Sequence, residues 1–218
     1  MSRTETPKRA LAVIFTTVLL NSIGFGIIIP VMPQLVMEVS GASLSEAAMY
    51  GGWLMFAYAV MQFFFAPVLG NLSDRFGRRK VLLISLVAFS VDYMVMGFAP
   101  TLAWLFAGRI IAGIAASTNS IANAYIADIS PPEERPQNFG LLGAAFGVGF
   151  IVGPLIGGFL GEFGSRTPFY AAATLGIVNF LFALSVLKET LPLTERRPFD
   201  VARANPLGAV MQLKTKPI

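Results

Sequence analysis

Six apolar stretches, separated by short polar interruptions, set the plan of this chain. They cover about residues 10–36, 51–72, 81–98, 102–126, 139–160 and 167–187. A membrane-crossing helix needs about 20 mostly apolar residues, so each stretch predicts one transmembrane helix. The first follows a charged start, with Arg3, Lys8 and Arg9. It is too long for a secretory leader, and no small-residue cleavage site follows it. The connections differ in character. Residues 37–50 carry Glu38 and Glu46 but no Lys or Arg, and 99–101 make a tight turn. Asp128-Ile129-Ser130-Pro131-Pro132-Glu133-Glu134-Arg135-Pro136 cannot form one continuous helix. Residues 162–166 form a short connection. From Lys188 the chain is polar and basic, with Pro192, Pro198, Pro206 and Pro217, and residues 207–213 are apolar enough for an interfacial turn.

The connection between the second and third stretches is the most charged. Gly70-Asn71-Leu72-Ser73-Asp74-Arg75-Phe76-Gly77-Arg78-Arg79-Lys80 holds five of the chain's 28 formal charges between Asp74 and Lys80. Gly70 and Gly77 are expected to bracket a tight reversal that bulky residues resist. Alternate connections lie on opposite sides of the membrane, and the basic residues sort accordingly. Three Lys/Arg precede the first span, four lie in the charged turn, one in 128–136 and six in the tail. These 14 share one side; Arg166 is alone on the other, and Arg109 lies inside a span. By the positive-inside rule both termini are expected in the cytoplasm.

Composition agrees. The chain is 55% hydrophobic and 13% charged, whereas soluble domains average about 25% charged; mean hydropathy is +0.69. It has no Cys and no His, which removes disulfides, thiol chemistry and the commonest general base and metal ligand. With one acid inside the spans there is no paired carboxylate either, so no enzyme, metal site or cofactor is expected. The net charge of +4 is explained by topology, and nucleic acid is not an expected partner.

Two charges stand within the apolar stretches. Asp92 lies twelve residues past Lys80, roughly 18 Å in from that side at 1.5 Å per residue. Arg109 lies nine residues past Pro100, roughly 14 Å in from the other. In a core about 30 Å thick these depths nearly coincide. Each charge costs about 2.5–3.5 kcal/mol on insertion scales unless paired or hydrated. A common polar cavity is therefore expected, or else a pair that only joins helices. Whether the two side chains meet is left open.

The charged turn, G-x-L-x-D-R-x-G-R-R, resembles the signature loop between the second and third helices of the major facilitator superfamily of transporters. Gly24-Phe25-Gly26-Ile27-Ile28-Ile29-Pro30-Val31-Met32-Pro33 resembles the first helix of its proton-coupled drug exporters. Leu105-x-x-x-Arg109-x-x-x-Gly113-x-x-Ala116 resembles their fourth-helix motif, and Ser90-Val91-Asp92-Tyr93 the third helix of tetracycline exporters. Gly149-x-x-x-Gly153-Pro154-x-x-Gly157-Gly158 resembles the fifth-helix antiporter signature. Gln62 matches a substrate-side glutamine.

The resemblance implies an all-α membrane protein of six transmembrane helices, two inverted three-helix repeats forming one half of the fold. Residues 1–9 would be a cytoplasmic terminus, 10–187 the bundle and 188–218 a cytoplasmic linker or tail. It implies proton-driven export of small amphipathic molecules of the tetracycline or multidrug kind, by alternating access across the cytoplasmic (inner) membrane. Asp92, Arg109, Asn21, Gln62, Asn119 and Asn123 would serve coupling and the substrate cavity. Gly70, Asp74, Arg75, Gly77, Arg78, Arg79 and Asp128 would form a cytoplasmic gate, with Arg78 paired to Asp128. Gly149, Gly153, Pro154, Gly157 and Gly158 would form a bending seam. The expected partners are substrate, protons, the bilayer, and a second six-helix half or a second copy; the energy source is a proton gradient. The pattern departs at Asn21, where tetracycline exporters carry Asp. Asn cannot carry a proton or pair with a cation, so coupling is not expected there. The alternatives are an importer or symporter of the superfamily, or a membrane-embedded scaffold without transport.

Overall fold

The computed structural model describes residues 7–116 and 118–205. Among them the secondary structure is helical throughout, and six helical spans are long and apolar enough to cross a membrane. The first is α1 (Pro7–Ile28) and the second α3 (Leu44–Phe76). The third is α4 (Arg78–Phe98) and the fourth α5 (Leu102–Ala115) with α6 (Thr118–Ile129). The fifth is α7 (Arg135–Gly161) and the sixth α8 (Thr167–Val186). A short α2 (Met32–Ser40) follows the first span, and one 3₁₀ turn (Leu193–Glu195) and α9 (Val201–Ala204) follow the sixth. The expected turn at 207–213 lies outside the described residues.

Local chemistry explains where the elements break. The first apolar run is not one helix to Val36: it stops at Ile28 and restarts at Met32. Pro30 has no N–H to donate and its ring clashes with the carbonyl four residues back. Gly41, at φ +68°, ends α2. The second span starts earlier than expected, because Ser43 and Glu46 form a reciprocal capping box that nucleates α3 at Leu44. It also ends later, at Phe76. The charged turn is therefore a single residue, Gly77, at φ +103°. Gly70 does not bracket the reversal; it sits inside α3 in open space. The Pro-rich 128–136 segment does interrupt the helix. There Arg135 caps the end of α6, its guanidinium donating to the carbonyls of Ala127 at 3.2 Å and Ser130 at 3.3 Å.

Packing follows a pseudo-symmetric scheme. α1 packs most extensively on α7, α4 on α8, and α3 on α5. Exchanging spans one with four, two with five and three with six converts the first pairing into the third and leaves the second unchanged. This is the relation expected of inverted three-helix repeats. Two apolar clusters form the core. One, near the end that carries α2, centres on Ile28, Leu54, Tyr58, Phe89, Met96, Leu105 and Phe169. The other, toward the charged turn, centres on Ile14, Val18, Leu82, Leu86, Tyr125, Ile126 and Leu142. The outer surface is also apolar: Phe56, Phe98, Ile151, Leu155 and Phe159 are all exposed. Such a surface suits lipid or another helix bundle.

Candidate functional site

The two intramembrane charges meet. Asp92 on α4 and Arg109 on α5 form an ion pair whose side chains are both fully buried. Small residues make this possible. A Cβ on Gly108 would lie 2.8 Å from Asp92 Oδ1, and one on Gly113 would lie 2.7 Å from the Met61 Cβ of α3. Both glycines let α5 come close to its neighbours. The Arg109 guanidinium also lies 5.6 Å from the centroid of the Tyr58 ring, within cation–π range.

The same ring lines a cavity of about 200 Å³. Its polar lining is Asn21 and Ser22 of α1, Gln62 of α3, and Thr118 and Asn119 of α6; Phe25, Tyr58, Phe89 and Phe146 supply aromatic walls. Asn21, Gln62 and Asn119, predicted together, are brought together. Asp92 and Arg109, expected in a common cavity, are buried and do not contribute to this lining. Asn123 lines a neighbouring cavity of about 310 Å³, to which Asn119 and Phe146 also contribute. Ser22 and Thr118 were not singled out from the sequence, yet their hydroxyls are buried with no hydrogen-bond partner among the described residues. The available signal was their place beside Asn21 and Asn119. Gln62 donates from Nε2 to the Ala116 carbonyl at 3.4 Å.

The glycine signature of α7 divides in two. A Cβ on Gly149 would lie 2.6 Å from Ser22 Cβ, and one on Gly153 would lie 2.7 Å from Gly26 Cα. A Cβ on Gly157 would strike the Ile27 backbone. These three, with Gly26 facing Pro154, bring α1 and α7 into backbone contact. Gly158 meets nothing within 4 Å and lies outside the seam.

At the charged turn, Arg78 joins several elements. Its Nε donates to Asp128 Oδ2 at 3.2 Å, Nη1 donates to Ser73 Oγ at 2.6 Å, and it pairs with Asp74. Arg79 donates to the Leu184 carbonyl at 2.6 Å, while Arg75 lies 5.1 Å over the Phe76 ring. The tail folds onto this network. Glu189 Oε1 accepts the Arg78 N–H at 2.8 Å, Thr190 donates to Asp128 at 3.2 Å, and Asn71 and Asp200 exchange two hydrogen bonds. A cavity of about 460 Å³ remains among Asp74, Arg78, Asp128, Leu191, Glu195 and Arg197.

The opposite end has its own clasp. Arg166 Nε lies 2.8 Å from Glu38 Oε1, and its Nη1 donates to the Gly97 carbonyl at 2.8 Å. Ser165 also donates to Glu38. The Ser165 hydrogen bond, then Arg166, hold the Glu38 carboxyl below its ordinary range.

Residues 14–218 match the sequence profile of the Major Facilitator Superfamily. The chain is 46% identical over 200 residues to the tetracycline resistance protein, class C, of Escherichia coli, spanning 92% of this chain and 50% of that protein. It is 33% identical over 192 residues to multidrug resistance protein 2 of Bacillus subtilis (strain 168), spanning 87% and 46%. The crystal structure of the human organic anion transporter MFSD10 (TETRAN) matches with a TM-score of 0.79 at 28% identity, over 94% of this chain and 55% of that one. The chain spans about half the length of the curated relatives it matches. With its six apolar helical spans, its charged single-residue turn and this profile match along nearly its whole length, the chain belongs to the major facilitator superfamily of membrane transporters.

Proposed function

We propose that this chain is the N-terminal half of a proton-coupled exporter of small amphipathic molecules. In this reading residues 188–218 lead to a second six-helix half, both termini are cytoplasmic, and the membrane is the inner one. The observation that carries the reading is the buried Asp92–Arg109 pair beside Tyr58, a ring that also lines a cavity of amide, hydroxyl and aromatic groups. The names of the tetracycline and multidrug resistance relatives support export of drugs.

The chemistry of the pair suits proton coupling. A buried ion pair is tolerable while both partners are charged, but losing one partner costs about 3–5 kcal/mol. Protonation of Asp92 would leave the Arg109 guanidinium charged and buried. The bundle can relieve that cost by moving α4 or α5 until the guanidinium reaches water or a substrate group. Proton binding is thereby linked to rearrangement of the cavity wall. The α1–α7 glycine seam is the surface on which helices bend as access alternates. The Asp74–Arg78–Asp128 network is the latch at the cytoplasmic end. The lining suits planar amphipathic molecules with uncharged hydrogen-bonding groups. Tetracycline-like compounds are one such class; with Asn21 in place of a carboxylate, no fixed negative charge from α1 assists a cation.

The test is drug-for-proton exchange in inverted membrane vesicles carrying the full reading frame. Asp92→Asn is expected to abolish exchange while membrane abundance stays unchanged. Exchange at the wild-type rate would remove Asp92 from the mechanism.

A further inference from the structure

One side chain touches both the cavity and the ion pair. Tyr58 lines the cavity, while the Arg109 guanidinium lies 5.6 Å from its ring centroid. Arg109 and Asp92 are buried and contribute nothing to the cavity lining. The ring is held in place from several sides. Phe25 of α1 lies at 5.8 Å and Phe89 of α4 at 6.5 Å, centroid to centroid. From behind, Gly113 packs so close to α3 that a Cβ there would lie 3.2 Å from the Tyr58 carbonyl carbon. The backbone that carries the ring therefore has little room to move. Asp92 and Arg109 were anticipated from their charge. Tyr58 carries none, and its place in an apolar run is that of an ordinary core aromatic.

We infer that Tyr58 is a positioning residue: its ring is the partition that keeps the Asp92–Arg109 pair sealed from the substrate cavity, and the two sites act on each other through it. A ligand that pushes the ring displaces the face that covers the guanidinium. A change in the charge of the pair alters the pull on the ring's π-face. The ring also blocks water, and with it an uncoupled path for protons. Removing it leaves a gap larger than the ~30 Å³ share of one water molecule, beside polar partners that would hold water there. For its consequences in transport the inference rests on the exporter reading; the sealing itself does not.

These 218 residues hold no cysteine; with any cysteine of the second half replaced by Ser, single reporter cysteines give a direct test in the full-length protein in membranes. Asn119→Cys places a thiol in the cavity. Ala112→Cys places one a helical turn from Arg109, at a fully buried position. With Tyr58 present, a small water-soluble thiol reagent is expected to label position 119 and spare position 112. Tyr58→Phe keeps the ring and is expected to keep the protection. Tyr58→Ala is expected to speed labelling at 112 by about tenfold or more, ~1.4 kcal/mol in the barrier, with position 119 unchanged. Tyr58→Leu, which keeps bulk without the ring, serves where the Ala variant fails to reach the membrane. Equal labelling of 112 and 119 with Tyr58 present would overturn the inference. So would an unchanged rate at 112 in both the Ala and Leu variants. In transport, the ring-less variants are expected to leak protons without substrate and to keep KM while losing accumulation, whereas Tyr58→Phe restores coupling. A wild-type protein that exchanges no drug for protons would defeat the exporter reading alone, because the labelling result still decides the partition.

Discussion

A methyl group added to α7 should matter at Gly153 and not at Gly158, five residues along the same helix. At Gly153 the added Cβ would lie 2.7 Å from Gly26 Cα and 2.7 Å from the Ile23 carbonyl oxygen. Carbon atoms in good contact lie about 3.5–4.0 Å apart, so α1 and α7 must separate by about 1 Å. Both obstructing atoms are backbone, and no rotamer change can relieve the clash. Overpacking of this kind costs about 1–3 kcal/mol. Against it stands the better helix propensity of Ala, about 1 kcal/mol. At Gly158 a Cβ meets nothing within 4 Å, so only the propensity gain remains. Both sites lie in one helix, and the difference between the two Ala variants therefore cancels propensity and isolates the seam. Thermal unfolding of the detergent-solubilised full-length protein reads the stability difference, and drug exchange in vesicles reads its consequence. Gly153→Ala is expected to melt several degrees below Gly158→Ala and to lose exchange. Equal melting temperatures would refute the backbone-contact seam. A damaging Gly158→Ala would show that the glycine pattern acts through something other than α1.

The ion pair, the outer clasp and the charged turn each give a further test. Asp92→Leu or Arg109→Met alone should destabilise by about 3–5 kcal/mol, while the double variant recovers stability; exchange activity in the double variant would exclude the pair from coupling. Because the Glu38 carboxyl is held below its ordinary 4.5, its contribution is complete above that pH and is lost as pH falls through the lowered value. Glu38→Gln should therefore lower the melting temperature at pH 7 and flatten its decline below about pH 4.5; an unaltered pH profile would count against the clasp. Gly77→Ala forces a side chain to φ +103° and places its Cβ 2.6 Å from Glu189 Cδ. Adding Glu189→Ala should recover part of the lost stability and leave the backbone strain, about 1–3 kcal/mol; full recovery would mean that the turn itself is unstrained.

The chain's own pattern determined a good deal. Hydrophobic length counts residues rather than contacts, so the six spans were legible before any packing was known. The sorting of Lys and Arg between alternate connections is also a property of the linear chain, and it predicts the orientation in the membrane. Asp92 and Arg109 stood out because a charge in an apolar run is costly wherever its helix faces, and residue rise alone placed them at one depth. Boundaries were less legible. The helical register of α3 runs on through Gly70, because a glycine in open space has no need to turn. Pro30 stopped α1 within a largely apolar stretch.

Facing was decided only in three dimensions. In water, the polar side of a helix announces which side is buried. In lipid both sides are apolar, and the helix carries little record of its rotation about its own axis. Gly153 and Gly158 look alike in the sequence, and Tyr58 looks like any core aromatic. Rotation and close approach put Gly153 against Gly26, left Gly158 open, and brought Tyr58 against both Arg109 and the cavity. The contact of Glu189 with the start of α4 likewise joins residues more than a hundred positions apart. No local pattern encodes such a pairing, because it depends on how six largely apolar helices come to rest against one another.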